Sequence, residues 1–173
     1  MTRATDDARF EELLRTHSGS LRRLCALYES DVTERDDLVQ DIAFAIWRAL
    51  PSFRGESSEK TFVYRIAHNR VLSHRFKKRL PAVPLSAAEE IADPAANPAA
   101  AAEQASERER LLNAVRLLPE NLREPVVLRL EGLTDREIAD VLGLSEGNVA
   151  VRLTRARHAL HTLLVPPSPK LQP

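Results

Sequence analysis

The chain has 173 residues, of which 43% are hydrophobic and 29% charged, a globular composition with room for one ordinary domain or two small ones. Its single cysteine, Cys25, excludes an internal disulfide framework, fits a reducing compartment, and sits among apolar neighbours as a small core residue would. No apolar run approaches the length of a membrane span and residues 1–7 do not have the make-up of a signal peptide, so the expected location is cytoplasmic, with no membrane insertion.

A formal net charge of zero conceals strong segregation. Between Asp6 and Asp41 there are ten acidic residues against five arginines; from Lys60 to Arg79 there are seven basic residues and no acid; residues 81–105 hold four acids and no base. An acidic face, a basic helix and an acidic connection imply more than one partner. Glycine and β-branched runs are scarce while Leu, Ala, Arg and Glu abound, so the expected fold is all-α.

In chain order, Phe10, Leu13, Leu14, Leu21, Leu24 and Leu27 follow helical spacing and predict a first helix over 8–30, with a bend or break possible at Ser18-Gly19-Ser20. A second helix is expected from Thr33, capped by its side chain, to Leu50, where Pro51 stops it. A loop over 51–58 leads to a third helix over 59–79. Its inward side is expected to be Phe62, Val63, Ile66 and Ala67, and its outward side Tyr64, Arg65, His68 and Arg75. Six of the eight aromatic residues lie between Phe44 and Phe76, interleaved with the basic groups. Single-strand nucleic-acid binders combine stacking rings with cations in this way, although a basic amphipathic helix is also a common solvated surface.

Residues 81–105 contain eleven alanines and four prolines with few large apolar side chains, a composition read as a flexible linker, its alanine-rich end able to continue as helix. Helices are expected over 106–118 and 121–130. Pro125 is tolerable only near a helix start, so the second of these should start late or kink.

The stretch from Gly132 to Leu160 carries two helix starts in succession. Thr134 and Glu137 form a capping box, Gly143 can end the first helix in the left-handed conformation, and Ser145 can cap the next. Val149, Leu153, Ala156 and Leu160 recur as an apolar stripe, leaving Asn148, Val151, Arg152 and Arg155 outward. A short glycine turn between two helices, the second basic outside, describes a DNA-reading helix-turn-helix; a plain helical hairpin with a charged face is the competing reading. Gly143-Leu144-Ser145-Glu146-Gly147 also spells a hydrolase nucleophile elbow, but that device needs a strand before the serine and none is expected here. His158 and His161 lack a nearby acid or cysteine, so no metal site is expected, and no Gly-rich phosphate loop is present.

Two blocks carry a family resemblance. The first comprises Asp37-Leu38-Val39-Gln40-Asp41, Trp47-Arg48-Ala49-Leu50, Phe53-Arg54-Gly55-Glu56 and Tyr64-Arg65-Ile66-Ala67-His68-Asn69. The second comprises Leu118-Pro119-Glu120, Leu133-Thr134, Glu137-Ile138-Ala139, Leu142-Gly143-Leu144-Ser145, Val149, Arg152-Leu153 and Arg155-Ala156-Arg157. Together they resemble an extracytoplasmic-function sigma factor of bacterial RNA polymerase. The resemblance implies two small helical domains, an N-terminal helical bundle over 1–80 and a C-terminal helix-turn-helix unit over 106–165, joined by a flexible linker over 81–105 and followed by a tail over 166–173.

It also implies a division of labour. Asp37, Gln40, Asp41, Phe44 and Trp47 would bind core RNA polymerase. Arg54, Ser57, Lys60, Thr61, Tyr64, Arg65, His68 and Asn69 would hold the single-stranded minus-ten promoter element. Arg136, Asn148, Val151, Arg152 and Arg155 would read the minus-thirty-five duplex, and Glu89, Glu90, Asp93 and Glu103 suit a linker passing through the polymerase. Phe62 stands where the family often has tryptophan, and Ala150-Val151 replaces a more polar pair. The resemblance implies no catalysis and no cofactor, and suggests an anti-sigma factor as a further partner. The alternative class is a conventional dimeric helix-turn-helix regulator that binds duplex DNA only; an adaptor without a nucleic-acid role is a third.

Overall fold

The computed structural model describes residues 3–79 and 98–165, and every regular element among them is helical: α1 Arg3–Ala26, α2 Val32–Ala49, α3 Glu59–Arg79, α4 Pro98–Leu117, α5 Glu120–Leu130, α6 Asp135–Leu142 and α7 Glu146–Leu164, with a 3-10 turn Leu50–Ser52 after α2. The linker residues 81–97 and the tail 166–173 lie outside the described residues.

The first three helices form one bundle. α1 runs unbroken through Ser18-Gly19-Ser20, against the expected bend. Leu13, Leu21 and Leu24 are buried on either side of that tripeptide, and this continuous packing outweighs the cost of one mid-helix glycine, about 1 kcal/mol. α2 starts earlier than expected and its cap is Asp31, not Thr33: the Asp31 carboxylate accepts from the Glu34 N–H at 2.9 Å. Aspartate is the stronger cap of the two. Leu38, Ile42, Ala45 and Ile46 then face inward, where they meet Leu21, Leu24 and Cys25 from α1 and Val63, Ala67 and Val71 from α3. Pro51 does end the α-helix, through the 3-10 turn.

The last four helices form the second bundle. α4 begins at Pro98, so the stretch 98–105 read as linker is helical; proline is preorganised for a first helical turn and the alanines after it are the best helix formers. α5 begins at Glu120, earlier than expected, and continues through a buried Pro125. The missing N–H leaves the carbonyl of Asn121 without its usual partner, and Asn121 is exposed to water. The capping box of Thr134 and Glu137 and the N-cap of Ser145 form as the sequence predicts. Gly143 takes φ 66°, the left-handed conformation that closes α6.

The two bundles are not held apart. α3 packs along α6, and the buried cluster runs from Leu13 in α1 to Ala156 in α7. Beside the linker that joins them in sequence, they share a seam, rich in polar contacts.

Candidate nucleic-acid and polymerase interfaces

On α2 the side opposite the core is acidic and aromatic. Asp37, Gln40 and Asp41 are exposed. Phe44 is 58% exposed and Trp47 38% exposed, their rings stacked with centroids 5.9 Å apart. Two large apolar rings left on a solvent face by an otherwise amphipathic helix are the kind of surface a protein partner covers.

The residues expected to take the minus-ten strand divide into two sets. Arg54, Ser57 and Arg65 line an open cavity of about 350 Å³ together with Ser52, Phe53, Glu56 and Phe62. Its floor is the Phe53–Phe62 pair, with ring centroids 4.5 Å apart, and Arg9 lies 5.0 Å from the Phe53 centroid. Asn69 is exposed further along α3.

Lys60, Thr61, Tyr64 and His68 instead face the second bundle. Tyr64 is 1% exposed and Thr61 equally buried, which corrects the expected outward placement of Tyr64. Lys60, Tyr64, His68 and Arg75 recur at i, i+4, i+8 and i+15, one helical face, and this face meets α5, α6 and the turn between them. Lys60 Nζ donates to the Gly132 carbonyl at 2.9 Å, the Tyr64 hydroxyl to Glu131 at 3.4 Å, and Arg75 pairs with Glu120. Burial pushes the Tyr64 phenol up to about 12 and holds the His68 imidazole below its ordinary value, the latter opposed by Glu120. Val63 and Ala67 are fully inward as expected, whereas Phe62 and Ile66 are only half-buried.

In the helix-turn-helix, Arg136, Asn148, Val151 and Arg155 are exposed and Arg152 is half-buried. Arg152 Nε donates to Asn148 Oδ1 at 3.1 Å, one turn earlier on α7. Ser145 caps α7 by accepting from the Asn148 N–H at 3.2 Å. It sits between two helices, with no strand among the described residues, so the elbow spelling has no elbow geometry.

Sequence reasoning missed Ser58, the cap of α3: its Oγ accepts from the Thr61 N–H at 3.1 Å and donates to Glu137 at 3.0 Å. A serine before a helix was a readable signal for the first bond but not for the second. It also missed Glu29, a 6% exposed carboxylate that accepts from Lys78 at 2.5 Å and contacts His74 at 3.0 Å. Those partners are far apart in the chain, and nothing local announces them. His158 and His161 are both exposed.

A three-helix bundle presenting acids, exposed aromatics and a ring-floored basic cavity, followed by a helix-turn-helix, defines a transcription protein with more than one binding surface. The sigma-70 region 2 family model matches residues 13–80 and the sigma-70 region 4 model matches residues 108–160. The chain is 33% identical over 162 residues to the ECF RNA polymerase sigma factor SigM of Mycobacterium tuberculosis, covering 93% of this chain and 80% of that one. Among solved structures it is similar to CnrH in complex with the cytosolic domain of CnrY, with TM-score 0.68 and 27% identity over 94% of each chain. The fold is shared too by the sigma factor RpoE in complex with the anti-sigma factor NepR from Bartonella quintana, with TM-score 0.70, 24% identity, and coverage of 90% of this chain and 96% of that one.

The chain belongs to the extracytoplasmic-function sigma factors of bacterial RNA polymerase. It is an alternative sigma factor that directs the polymerase to promoters. No helix among the described residues is long and apolar enough to cross a membrane.

Proposed function

We propose that the surfaces divide the work of initiation as follows. Asp37, Gln40, Asp41, Phe44 and Trp47 on α2 grip the core polymerase. Arg54, Ser57, Lys60, Thr61, Tyr64, Arg65, His68 and Asn69 hold the unpaired minus-ten strand. Arg136, Asn148, Val151, Arg152 and Arg155 read the minus-thirty-five duplex, with phosphate contacts from Arg136 and Arg155 setting the register and the side chains at 148, 151 and 152 approaching bases.

The observation that carries this reading is the open cavity beside α3. A pair of phenylalanine rings flanked by Arg54 and Arg65 is suited to an unstacked base and its phosphates, and a regulator confined to duplex DNA has no use for it. Capture of unpaired bases supplies the free energy for strand opening, so the protein needs neither catalysis of its own nor a nucleotide. The N-terminal unit ends near residue 80 and the C-terminal unit begins with α4. The setting is cytoplasmic. An anti-sigma factor is the natural further partner. Run-off transcription with purified core polymerase and a promoter library tests the reading: promoter-dependent transcripts are expected only when this chain is added, and their absence from every promoter would overturn it.

A further inference from the structure

The seam between the bundles is built with a consistent polarity. On the N-terminal side stand donors: Lys60 Nζ, the Ser58, Thr61 and Tyr64 hydroxyls, and the Arg23 and Arg75 guanidinium groups. On the C-terminal side stand oxygens. The Gly132 carbonyl takes Lys60 at 2.9 Å, Glu137 Oε1 takes Ser58 at 3.0 Å with the Thr61 hydroxyl behind it 2.8 Å from Ser58, and Glu131 Oε2 takes Arg23 at 2.7 Å and Tyr64 at 3.4 Å. Glu120 holds Arg75. Two contacts among the described residues run the other way: Arg116 donates to the Ala26 carbonyl at 3.1 Å, and the Arg123 guanidinium lies 5.9 Å from the Tyr28 ring centroid. Gly132 has φ 78°, a left-handed conformation that glycine adopts at no steric cost.

A row of anionic and carbonyl oxygens set against lysine, arginine and hydroxyl donors is also what a nucleic-acid backbone presents. The donors at Lys60, Thr61 and Tyr64 are among those assigned to the minus-ten strand, so the following rests on that reading. We propose that in the free chain Glu131, Glu137 and the Gly132 carbonyl stand in for the oxygens of single-stranded DNA on α3, so that the C-terminal unit masks half of its own minus-ten face until the two units part. The other half, the cavity at Arg54 and Arg65, stays open. The free factor therefore has a partial foothold for an unpaired base and completes its grip only when the seam opens. Such a device keeps unbound sigma factor from occupying single strands indiscriminately.

The test uses the full-length chain and a fluorescein-labelled pool of random single-stranded 12-mer deoxyoligonucleotides, read by anisotropy. Glu131→Gln/Glu137→Gln keeps the capping box, since glutamine serves at that position, and weakens the seam. Glu11→Gln/Glu12→Gln makes the same change in net charge at exposed positions on α1. Arg23→Gln opens the seam from the other side without touching the proposed DNA face. The seam double variant is expected to bind the pool at least tenfold more tightly than the wild type, with a larger radius of gyration by small-angle scattering, and Arg23→Gln is expected to move the same way. The α1 variant is expected to stay within twofold of the wild type. An unchanged affinity in the seam variants, with or without expansion, overturns the mask, and so does an equal gain in the α1 variant. Run-off transcription with core polymerase separates the two readings: transcripts without a gain in free-chain affinity sink the mask alone, and a gain without transcripts sinks the minus-ten assignment while the occlusion stands.

Discussion

Ser58 and Glu137, seventy-nine residues apart in the chain, are joined by a hydrogen bond of 3.0 Å. The other oxygen of the same carboxylate accepts from the Thr134 N–H at 2.9 Å and the Thr134 hydroxyl at 3.0 Å. One side chain thus caps the first helix of the helix-turn-helix and fastens that motif to the first bundle. Those bonds to Thr134 lead the causes that hold Glu137 below the ordinary carboxylate range. Glu137→Ala removes the cap and the seam contact together and should cost about 1–2 kcal/mol, within the usual range for a lost cap, lowering Tm by roughly 2–4 °C per kcal/mol in a chain of this size. Glu137→Gln should keep most of the Tm. Thermal unfolding followed by circular dichroism distinguishes the two, and equal losses would show that the charge, not the cap, is what counts.

Tyr64 offers a second check. A fully buried aromatic replaced by alanine leaves a cavity and should cost about 3 kcal/mol or more, so Tyr64→Ala damages the fold before it reports on promoter opening. Tyr64→Phe loses the hydroxyl, with its 3.4 Å bond to Glu131 and its contact with the Ser20 side chain, and should unfold near the wild type. Arg65→Ala, on the exposed edge of α3 beside the cavity, should leave urea-unfolding midpoints unchanged while reducing capture of minus-ten single strands. A large loss of stability in Arg65→Ala would remove it from the open set.

Why Tyr64 was misplaced in the sequence explains what was legible there. Capping boxes, turn glycines and apolar stripes are local signals, and Thr134, Glu137, Gly143, Ser145, Val149 and Ala156 were all readable from their immediate neighbours. So was the core position of Cys25, whose thiol burial pushes up to about 12. α3 buries two faces. Val63 and Ala67 belong to the apolar stripe that periodicity reveals, while Tyr64 and His68 are amphipathic and read as an outer surface. Residues of α5, α6 and the turn between them, supplied far later in the chain, join His17 of α1 in making that second face interior. The same non-locality hid Glu29 with Lys78 and Glu131 with Arg23. The α2 cap was missed for a smaller reason, a choice between neighbouring candidates that Asp31 wins over Thr33.

Phe44 on α2 gives a prediction that stability does not confound. Phe44→Ala removes a ring that is largely outside the core and should shift stability by less than about 1 kcal/mol, whereas Trp47, more than half covered and donating to Asp7 at 3.3 Å, should cost more when truncated. Affinity for core polymerase should fall by tenfold or more if these rings anchor the contact, since buried aromatics dominate interface energies. Competition with labelled wild-type chain for core polymerase measures the loss, and an unchanged affinity would take these rings out of the interface.

The seam should respond to acid through His68. Burial holds its imidazole below the ordinary value of 6.5, and Glu120 opposes the shift. His17, whose ring meets Tyr64 edge-on at 6.3 Å, is lowered first by burial and then by Lys60. Groups with depressed values bind fewer protons in the folded form, so their stabilisation is complete above 6.5 and is lost as the pH falls through the folded values. Urea midpoints should therefore decline as the pH falls below 6.5, before the window below 4.5 in which Glu137 and Glu29 lose their charge. His68→Gln should flatten the first decline and leave the second. A midpoint independent of pH across the first window would show that neither imidazole is held in the folded form.

Arg152 is positioned from within its own helix. Its Nε donates to Asn148 Oδ1 at 3.1 Å, leaving the two terminal nitrogens of the guanidinium free to turn towards a groove. A guanidinium already braced in this way loses less rotamer freedom on binding than a free one. Arg152→Ala should weaken binding of a minus-thirty-five duplex by the holoenzyme by about 1–3 kcal/mol, the value of a good bidentate base contact. Arg152→Lys keeps the charge but has neither the fork nor an Nε for Asn148, so it should recover little. Asn148→Ala should give a smaller loss by freeing the arginine. Arg155→Ala should instead weaken all duplexes alike and reduce the salt dependence, as a phosphate contact does. Titrating fluorescent duplexes of varied sequence at two salt concentrations separates these effects. If Arg152→Lys bound as tightly and as selectively as the wild type, α7 would be holding the backbone by charge rather than reading bases by geometry.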